Sequence, residues 1–180
     1  MKITEAAVMA AMVGTTVWAG AVPAAERQVV ACIASAEDML LENQAKIVSS
    51  AIFAGIGVKI LWHGPSNCPT EAIFITFSHD APASLLPGAL AYAMPYEGTH
   101  IVVFYDRVKN WPGSASSVLG HVIAHEVAHI LQGIHRHSES GIMEAQWTGA
   151  DYQQMNWKPL RFTDEDVVLI HRGLKARVAR

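Results

Sequence analysis

The residues most suggestive of chemistry are two histidines four positions apart, His125 and His129, with Glu126 directly after the first. In a helix this spacing places both imidazoles about one turn apart on the same face, where one ion can bind both. The carboxylate of Glu126 would lie beside the ion rather than on it, in position to take a proton from water. The pattern predicts a zinc site with Glu126 as the general base.

A catalytic zinc site needs a third protein ligand, and two histidines are candidates for it. Gly133 is expected to end the helix in the left-handed conformation and to turn the chain back toward the metal. His135 and His137 follow it. His121 is excluded because it would lie about 12 Å from His129 along the helix axis, whereas a Zn–N bond is about 2 Å. We expect His121 to be a polar neighbour of the site, and the choice between His135 and His137 stays open.

Residues 125–135 resemble the motif HExxHxxGxxH of the metzincin zinc peptidases, and residues 140–143 resemble the Met-turn of that clan. Weaker similarity to the matrixin-like branch extends to residues 89–93 and 99–104, and to the start of a closing helix at residues 162–166. The resemblance implies a metzincin-like mixed β-sheet with an N-terminal helix, a zinc-binding helix, a Met-turn and a C-terminal helix.

The chain departs from the motif next to the third ligand. Gln132 stands where the motif has glycine, and the glycine comes one residue later. His135 keeps the family spacing from the first ligand, while His137, followed by Ser138, is similar to the His-Ser pair common at the third-ligand position. Both assignments are compatible with the resemblance.

The resemblance implies a zinc-dependent endopeptidase that acts on a peptide or protein substrate. Met143 would be the methionine of the Met-turn. An extended substrate would pair with an edge strand carrying Ala89, Ala91 and Ala93. Aromatic residues and a proline are expected to form the floor below the Met-turn and one wall of the substrate pocket: Trp147, Tyr152, Trp157 and Pro159.

Three alternatives remain from the residues alone. The displaced glycine favours a catalytically weak or inactive zinc-binding module of the cell envelope. A carboxylate, Glu144 or Glu165, could replace the third histidine. A structural envelope protein with an accidental motif would hold no stoichiometric metal.

Hydrophobic periodicity predicts the elements that position these residues. We expect an amphipathic helix over residues 36–53, strands over 58–62 and 71–77, and a central strand over 99–105. Residues 89–95 are expected to form an edge strand, because Pro95 cannot donate to an inner ladder. The histidine helix is expected over residues 116–132. A closing helix is expected from Thr163 to about His171, with Gly173 as its stop. The predicted class is a single α/β (α+β) domain.

The N-terminus has the composition of a targeting segment. Lys2 precedes an apolar run over residues 6–22, followed by small residues suited to cleavage. We expect a signal peptide over residues 1–24 and one domain over 25–180, secreted or periplasmic, with no stable membrane span after cleavage. An uncleaved membrane anchor is the alternative. Cys32 and Cys68 could form a disulfide in such a compartment or remain buried thiols.

Bulk properties narrow the class further. The 180 residues are 51% hydrophobic, which is enough for one packed core. The formal net charge is −3, which gives no basic surface for nucleic acid.

Overall fold

The structure is a computed structural model that describes residues 27–34, 37–85 and 87–178. The predicted signal peptide over residues 1–24 and the predicted first residue of the N-terminal helix, Ala36, lie outside these residues. In chain order the elements are β1 (Arg27–Ile33), α1 (Met39–Ala54), β2 (Val58–His63), β3 (Ile73–Ser78), β4 (Ala91–Ala93), β5 (His100–Phe104), α2 (Tyr105–Lys109), α3 (Ala115–Gln132), α4 (Gly149–Met155) and α5 (Asp164–Val178).

The strands form one five-stranded sheet in the order β2-β1-β3-β5-β4. β1 is parallel to β2 and β3, and β3 is parallel to β5. β4 is antiparallel to β5 at the edge of the sheet. The predicted α/β class with a mixed sheet is confirmed. β5, expected to be the central strand, is an inner strand, and β3 occupies the centre.

β1 is the main strand that the sequence did not predict. Its residues Val29, Ala31, Cys32 and Ile33 are buried, because β1 has neighbours on both sides within the sheet. An inner parallel strand gives a continuous apolar run instead of alternation, and such a run is hard to assign by periodicity. This one also follows closely on the apolar run of the predicted targeting segment.

The edge strand is shorter than predicted. Only Ala91–Ala93 pair with β5, while Ala89 lies before the strand and its carbonyl accepts a hydrogen bond from Arg107 at 2.6 Å. Met94 N–H donates to the His100 carbonyl and Phe104 N–H to the Leu90 carbonyl. Because antiparallel pairs alternate, the backbone groups of Ala91 and Ala93 therefore point away from β5.

Helices α1 and α3 pack closely against each other. Asp38 caps α1 by accepting from the N–H groups of Leu40 and Leu41. A Cβ placed on Gly120 of α3 would lie 2.5 Å from the Cβ of Val48 on α1. Gly120 therefore allows α1 and α3 to approach closely, and any larger residue at this position would push the two helices apart.

The closing helix is longer than predicted. Gly173 does not end α5, which continues to Val178. Instead, a Cβ on Gly173 would lie 1.5 Å from the carbonyl oxygen of Leu131 on α3. The prediction was wrong because glycine here serves the close crossing of two helices, a tertiary contact that local sequence does not reveal.

The two cysteines form a disulfide. Cys32, fully buried at the end of β1, is bonded to Cys68 with a Cα–Cα distance of 6.1 Å. Of the helices that the structure describes, none combines the length and the hydropathy that a membrane crossing requires.

Candidate metal centre

Helix α3 carries the histidine pair and is almost wholly buried. Ser114 caps its start by accepting from Ser117 N–H, and every residue from 117 to 131 is buried. Gly133 ends it with φ +70°, and its N–H donates to the His129 carbonyl. The expected left-handed glycine stop is therefore present, and it turns the chain out of the helix one turn after the second histidine.

The first two imidazoles face each other in a defined tautomer. The Nδ1 of His125 lies 2.7 Å from the Ile142 carbonyl, and that of His129 lies 3.1 Å from the Ile134 carbonyl. Because a carbonyl oxygen only accepts, each Nδ1 carries the proton and each neutral ring presents an unprotonated Nε2. These two Nε2 atoms are 3.0 Å apart. Two lone pairs at that separation call for a cation that both can bind.

His137 completes a group of three. Its ligand atom and those of His125 and His129 all lie within 4.8 Å of one another. Over the part of the chain that the structure describes, this is the group of side chains that could hold a metal ion. The ring of His135 lies 5.5 Å from that of His129 and 6.1 Å from the exposed ring of Tyr96. Of the two candidates left open by the sequence, the structure brings His137 into the cluster and leaves His135 beside it.

The donor set fits zinc. Two nitrogen ligands on one tetrahedral zinc, each about 2.0–2.1 Å from the ion, lie roughly 3.3 Å apart, close to the separation of the paired Nε2 atoms. Burial lowers the pKa of His125 to about 4 and that of His129 to about 3. Both rings are therefore neutral at physiological pH, the state in which imidazole binds a metal.

Glu126 is a buried carboxyl group next to the cluster. Its exposed fraction is 8%, and burial raises its pKa to about 8, opposed by a hydrogen bond from the backbone N–H of Ala93. That N–H is one of the groups that point away from β5. The edge strand therefore holds the carboxyl group that the sequence predicts as a general base.

The predicted Met-turn supports one of the histidines. Gly141 has φ +83°, and a Cβ there would lie 2.2 Å from the Arg161 carbonyl oxygen, so only glycine fits. Ile142 N–H donates to the same carbonyl, and its own carbonyl accepts from His125. Met143 is fully buried. The turn thus fixes the ring orientation of His125 from behind.

His121 is held by the protein and is not free to bind a metal. It is fully buried, its Nδ1 donates to the Ser117 carbonyl at 2.7 Å, and its Nε2 accepts from Leu160 N–H at 3.1 Å. Burial lowers its pKa and keeps it neutral. It ties α3 to the segment before α5.

Neither carboxylate considered as a third ligand belongs to the cluster. Glu144 accepts from Gly141 N–H at 2.9 Å, and Glu165 forms an ion pair with Arg136. Both groups are therefore engaged elsewhere in the structure.

Of the aromatic residues expected near the site, Trp147 and Tyr152 lie there and Trp157 does not. The ring of Trp147 lies 5.8 Å from that of His125, and its Nε1 donates to the Ile142 carbonyl. Tyr152 is 6.0 Å from Trp147. Trp157, in contrast, is 90% exposed and forms no floor beneath the turn.

Three polar residues surround the third histidine: Arg136, Ser138 and Asp166. Nothing in the sequence indicates a role for Arg136 here, or that Ser138 and Asp166 bond to each other. Asp166 lies in the expected start of the closing helix, but nothing local in the sequence shows that it also reaches the loop that carries His137. Burial alone would raise the pKa of Asp166, yet hydrogen bonds from Thr163, Ser138 and Arg136 outweigh it and hold the pKa below its ordinary value.

Comparison with known proteins identifies the fold. No protein-family model and no curated protein matches the sequence. Among solved structures, the chain is similar to archaemetzincin from Methanopyrus kandleri, with a TM-score of 0.58 and 15% sequence identity over 86% of this chain and 99% of that chain. The predicted metzincin-like fold is thereby confirmed, whereas the matrixin-like branch stays a prediction.

Proposed function

We propose that the chain is a zinc-dependent endopeptidase in which His125, His129 and His137 hold the metal and Glu126 is the general base. One observation carries the proposal. The ligand atoms of three histidines converge within 4.8 Å, two of them as unprotonated Nε2 atoms, beside a buried carboxyl group. This arrangement supplies both the ligands and the base that hydrolysis by activated water requires.

The residues of the chain divide the work of hydrolysis. Zinc, when bound, supplies Lewis-acid activation of water and of the scissile carbonyl. Glu126 takes the proton from the attacking water and returns it to the leaving amine. In the metal-free protein burial raises the pKa of Glu126 to about 8; a bound zinc ion would lower that pKa and favour the carboxylate, the form that acts as the base. The Ala93 N–H fixes the direction of the carboxyl group.

The edge strand offers a short binding site for an extended substrate. Ala91 N–H, Ala91 C=O and Ala93 C=O point away from β5, and nothing among the described residues bonds to them. A peptide would add to β4 through these groups, as in β-augmentation. The Ala89 carbonyl, which was expected to take part, is engaged by Arg107.

We also propose that the chain belongs to the matrixin-like branch of the metzincins. This proposal is supported by Ser138 directly after His137 and by the acidic start of α5, residues 164–166.

We further propose that the protein is exported, because Cys32 and Cys68 form a disulfide, a bond that persists in oxidising compartments. N-terminal sequencing of the protein recovered from its producing cells should begin near residue 25; an intact Met1 on all recovered protein would contradict export with cleavage.

The decisive experiment compares Glu126→Gln with the wild type for zinc content and for cleavage of a peptide library. We expect Glu126→Gln to keep one zinc per chain and to lose cleavage, because the amide cannot take the proton. Retained turnover would contradict the mechanism. One zinc without cleavage in the wild type would favour the zinc-binding module instead.

The third ligand is tested in the same assays. His137→Ala should lose tight zinc binding and activity, whereas His135→Ala serves as the matched control and should keep the zinc. Equal zinc loss in both variants, or loss only in His135→Ala, would contradict the assignment of His137.

A further inference from the structure

The three histidines of the cluster are not oriented in the same way. The rings of His125 and His129 each donate to a backbone carbonyl, which fixes their rotation. His137 is exposed, and no described residue forms a hydrogen bond with its ring. Besides ring contacts with His125 and His129 at 5.3 and 5.0 Å, its position is set through the backbone on either side of it.

Both neighbours of His137 are tied to the same carboxylate. Ser138 Oγ donates to Asp166 Oδ1 at 2.7 Å, and Arg136 donates to the same oxygen at 2.8 Å. Arg136 also donates to Ser138 Oγ at 3.1 Å, which closes a triangle of bonds around the third histidine. The backbone N–H of Ser138 donates to the Met143 carbonyl at 2.7 Å.

Asp166 is itself rigidly held. It is fully buried in the first turn of α5, and its second oxygen accepts from the backbone N–H and the hydroxyl of Thr163 at 3.0 and 2.7 Å. We propose that Asp166 is a positioning residue for the metal site, holding His137 in place through Arg136 and Ser138. The inference rests on the proposed role of His137 as a metal ligand.

A second capping box in the chain shows what capping alone requires. On α4, Thr148 and Asp151 exchange the same bonds as Thr163 and Asp166, with Asp151 Oδ2 accepting from Thr148 N–H at 2.7 Å. Among the described residues, none of residues 133–138, the loop that carries His137, bonds to Asp151, whose bonds go to Thr148. Asp166 therefore makes two bonds beyond those of a helix cap, and both go to the neighbours of His137.

The test measures zinc affinity by competition with a chelator, with and without His137. Asp166→Asn keeps one carbonyl oxygen for the cap but presents an amide to Arg136 and Ser138. We expect its zinc Kd to rise by about 10–100-fold, the usual cost of losing an outer partner of a ligand. In a His137→Ala background the same substitution should change the Kd by less than about threefold, since coupled residues are not additive. Asp151→Asn is the matched control and should leave zinc affinity unchanged.

Substitution with Co²⁺ gives a readout that helix capping alone does not move. The visible absorption of bound Co²⁺ should change in Asp166→Asn and not in Asp151→Asn. If Asp166→Asn does not fold, Ser138→Ala, which leaves the cap of α5 intact, should show the same direction of change in Kd and spectrum.

Specific outcomes would overturn the inference. They are an unchanged Kd in both Asp166→Asn and Ser138→Ala, or an equal loss of affinity with and without His137. A wild type that binds zinc but cleaves no peptide would contradict the proposed peptidase and leave this inference standing. A wild type that binds no zinc would overturn both.

Discussion

Glu126 lies in an environment that favours its neutral form until a cation is near. Burial raises its pKa to about 8, so in the metal-free protein the carboxyl group holds its proton at pH 7. His125 and His129, with pKa values of about 4 and 3, hold none on Nε2 at that pH. A zinc ion binding beside Glu126 would favour the carboxylate, and binding is then linked to loss of its proton.

We therefore predict that zinc binding at pH 7 releases about one proton per chain. Calorimetric titrations in buffers of different ionisation enthalpy measure this number. Glu126→Gln should release fewer protons under the same conditions, because it carries no titratable group there. Equal release by the wild type and the variant would show that the proton comes from another group.

At the same scale, the sequence predicted the proposed ligands His125 and His129 and the proposed base Glu126, but it left open which histidine would join them. His125, Glu126 and His129 lie within one helix, where spacing alone determines which side chains share a face. The chain reaches His137 through the left-handed turn at Gly133, and its neighbours Arg136 and Ser138 bond to Asp166 of a different helix. Long-range contacts of this kind have no periodic signature in the sequence.

At the scale of the helices, the close crossing of α3 and α5 depends on the absence of a side chain at Gly173. Gly173 lies in the interior of α5, where alanine is normally about 1 kcal/mol more favourable. A Cβ would nevertheless meet the Leu131 carbonyl oxygen at 1.5 Å, so the helices would have to separate. We predict that Gly173→Ala destabilises the protein by about 1–3 kcal/mol or more, as overpacking does.

Urea unfolding of metal-free protein measures the effect of Gly173→Ala. Gly149→Ala in α4 is the matched control, because a Cβ there meets nothing within 4 Å. The control should be neutral or slightly stabilising. A Gly173→Ala protein as stable as the wild type would show that α5 can shift without cost.

Element prediction succeeded where local signals were strong. The start of α5 has the Thr163–Asp166 capping spacing, and the end of α3 has Gly133, and both are observed within one residue of prediction. The short helices α2 and α4 were not predicted, because helices of five and seven residues are too short to show a periodic apolar face.

For the whole molecule, the buried titratable groups around the cluster set how stability depends on pH. His125 and His129 have pKa values below the ordinary 6.5, so between pH 6.5 and about 4 the unfolded chain binds protons that the folded chain does not. Their contribution falls as pH falls, by about 1.4 kcal/mol per pH unit for each histidine. Glu126 acts in the opposite direction: between its ordinary 4.5 and about 8 the folded chain holds the extra proton.

We predict that the free energy of unfolding of the metal-free protein is greatest near pH 6.5. It should decline on the acid side because of the histidines and on the alkaline side, toward pH 8, because of Glu126. Urea unfolding across pH 5–8 provides the curve. Glu126→Gln should remove the alkaline decline and keep the acid one; a variant curve parallel to that of the wild type would contradict the assignment.

Helix α5 also gives the site an order of assembly in time. The ribosome adds His125, His129 and His137 to the growing chain before it adds Asp166. A nascent chain therefore has all three histidines while the third still lacks the carboxylate that holds its loop. On our proposal, tight zinc binding waits until α5 has been made and has docked across Leu131. If the chain is the peptidase that we propose, this order would keep it from cleaving nearby proteins while it is still being synthesised.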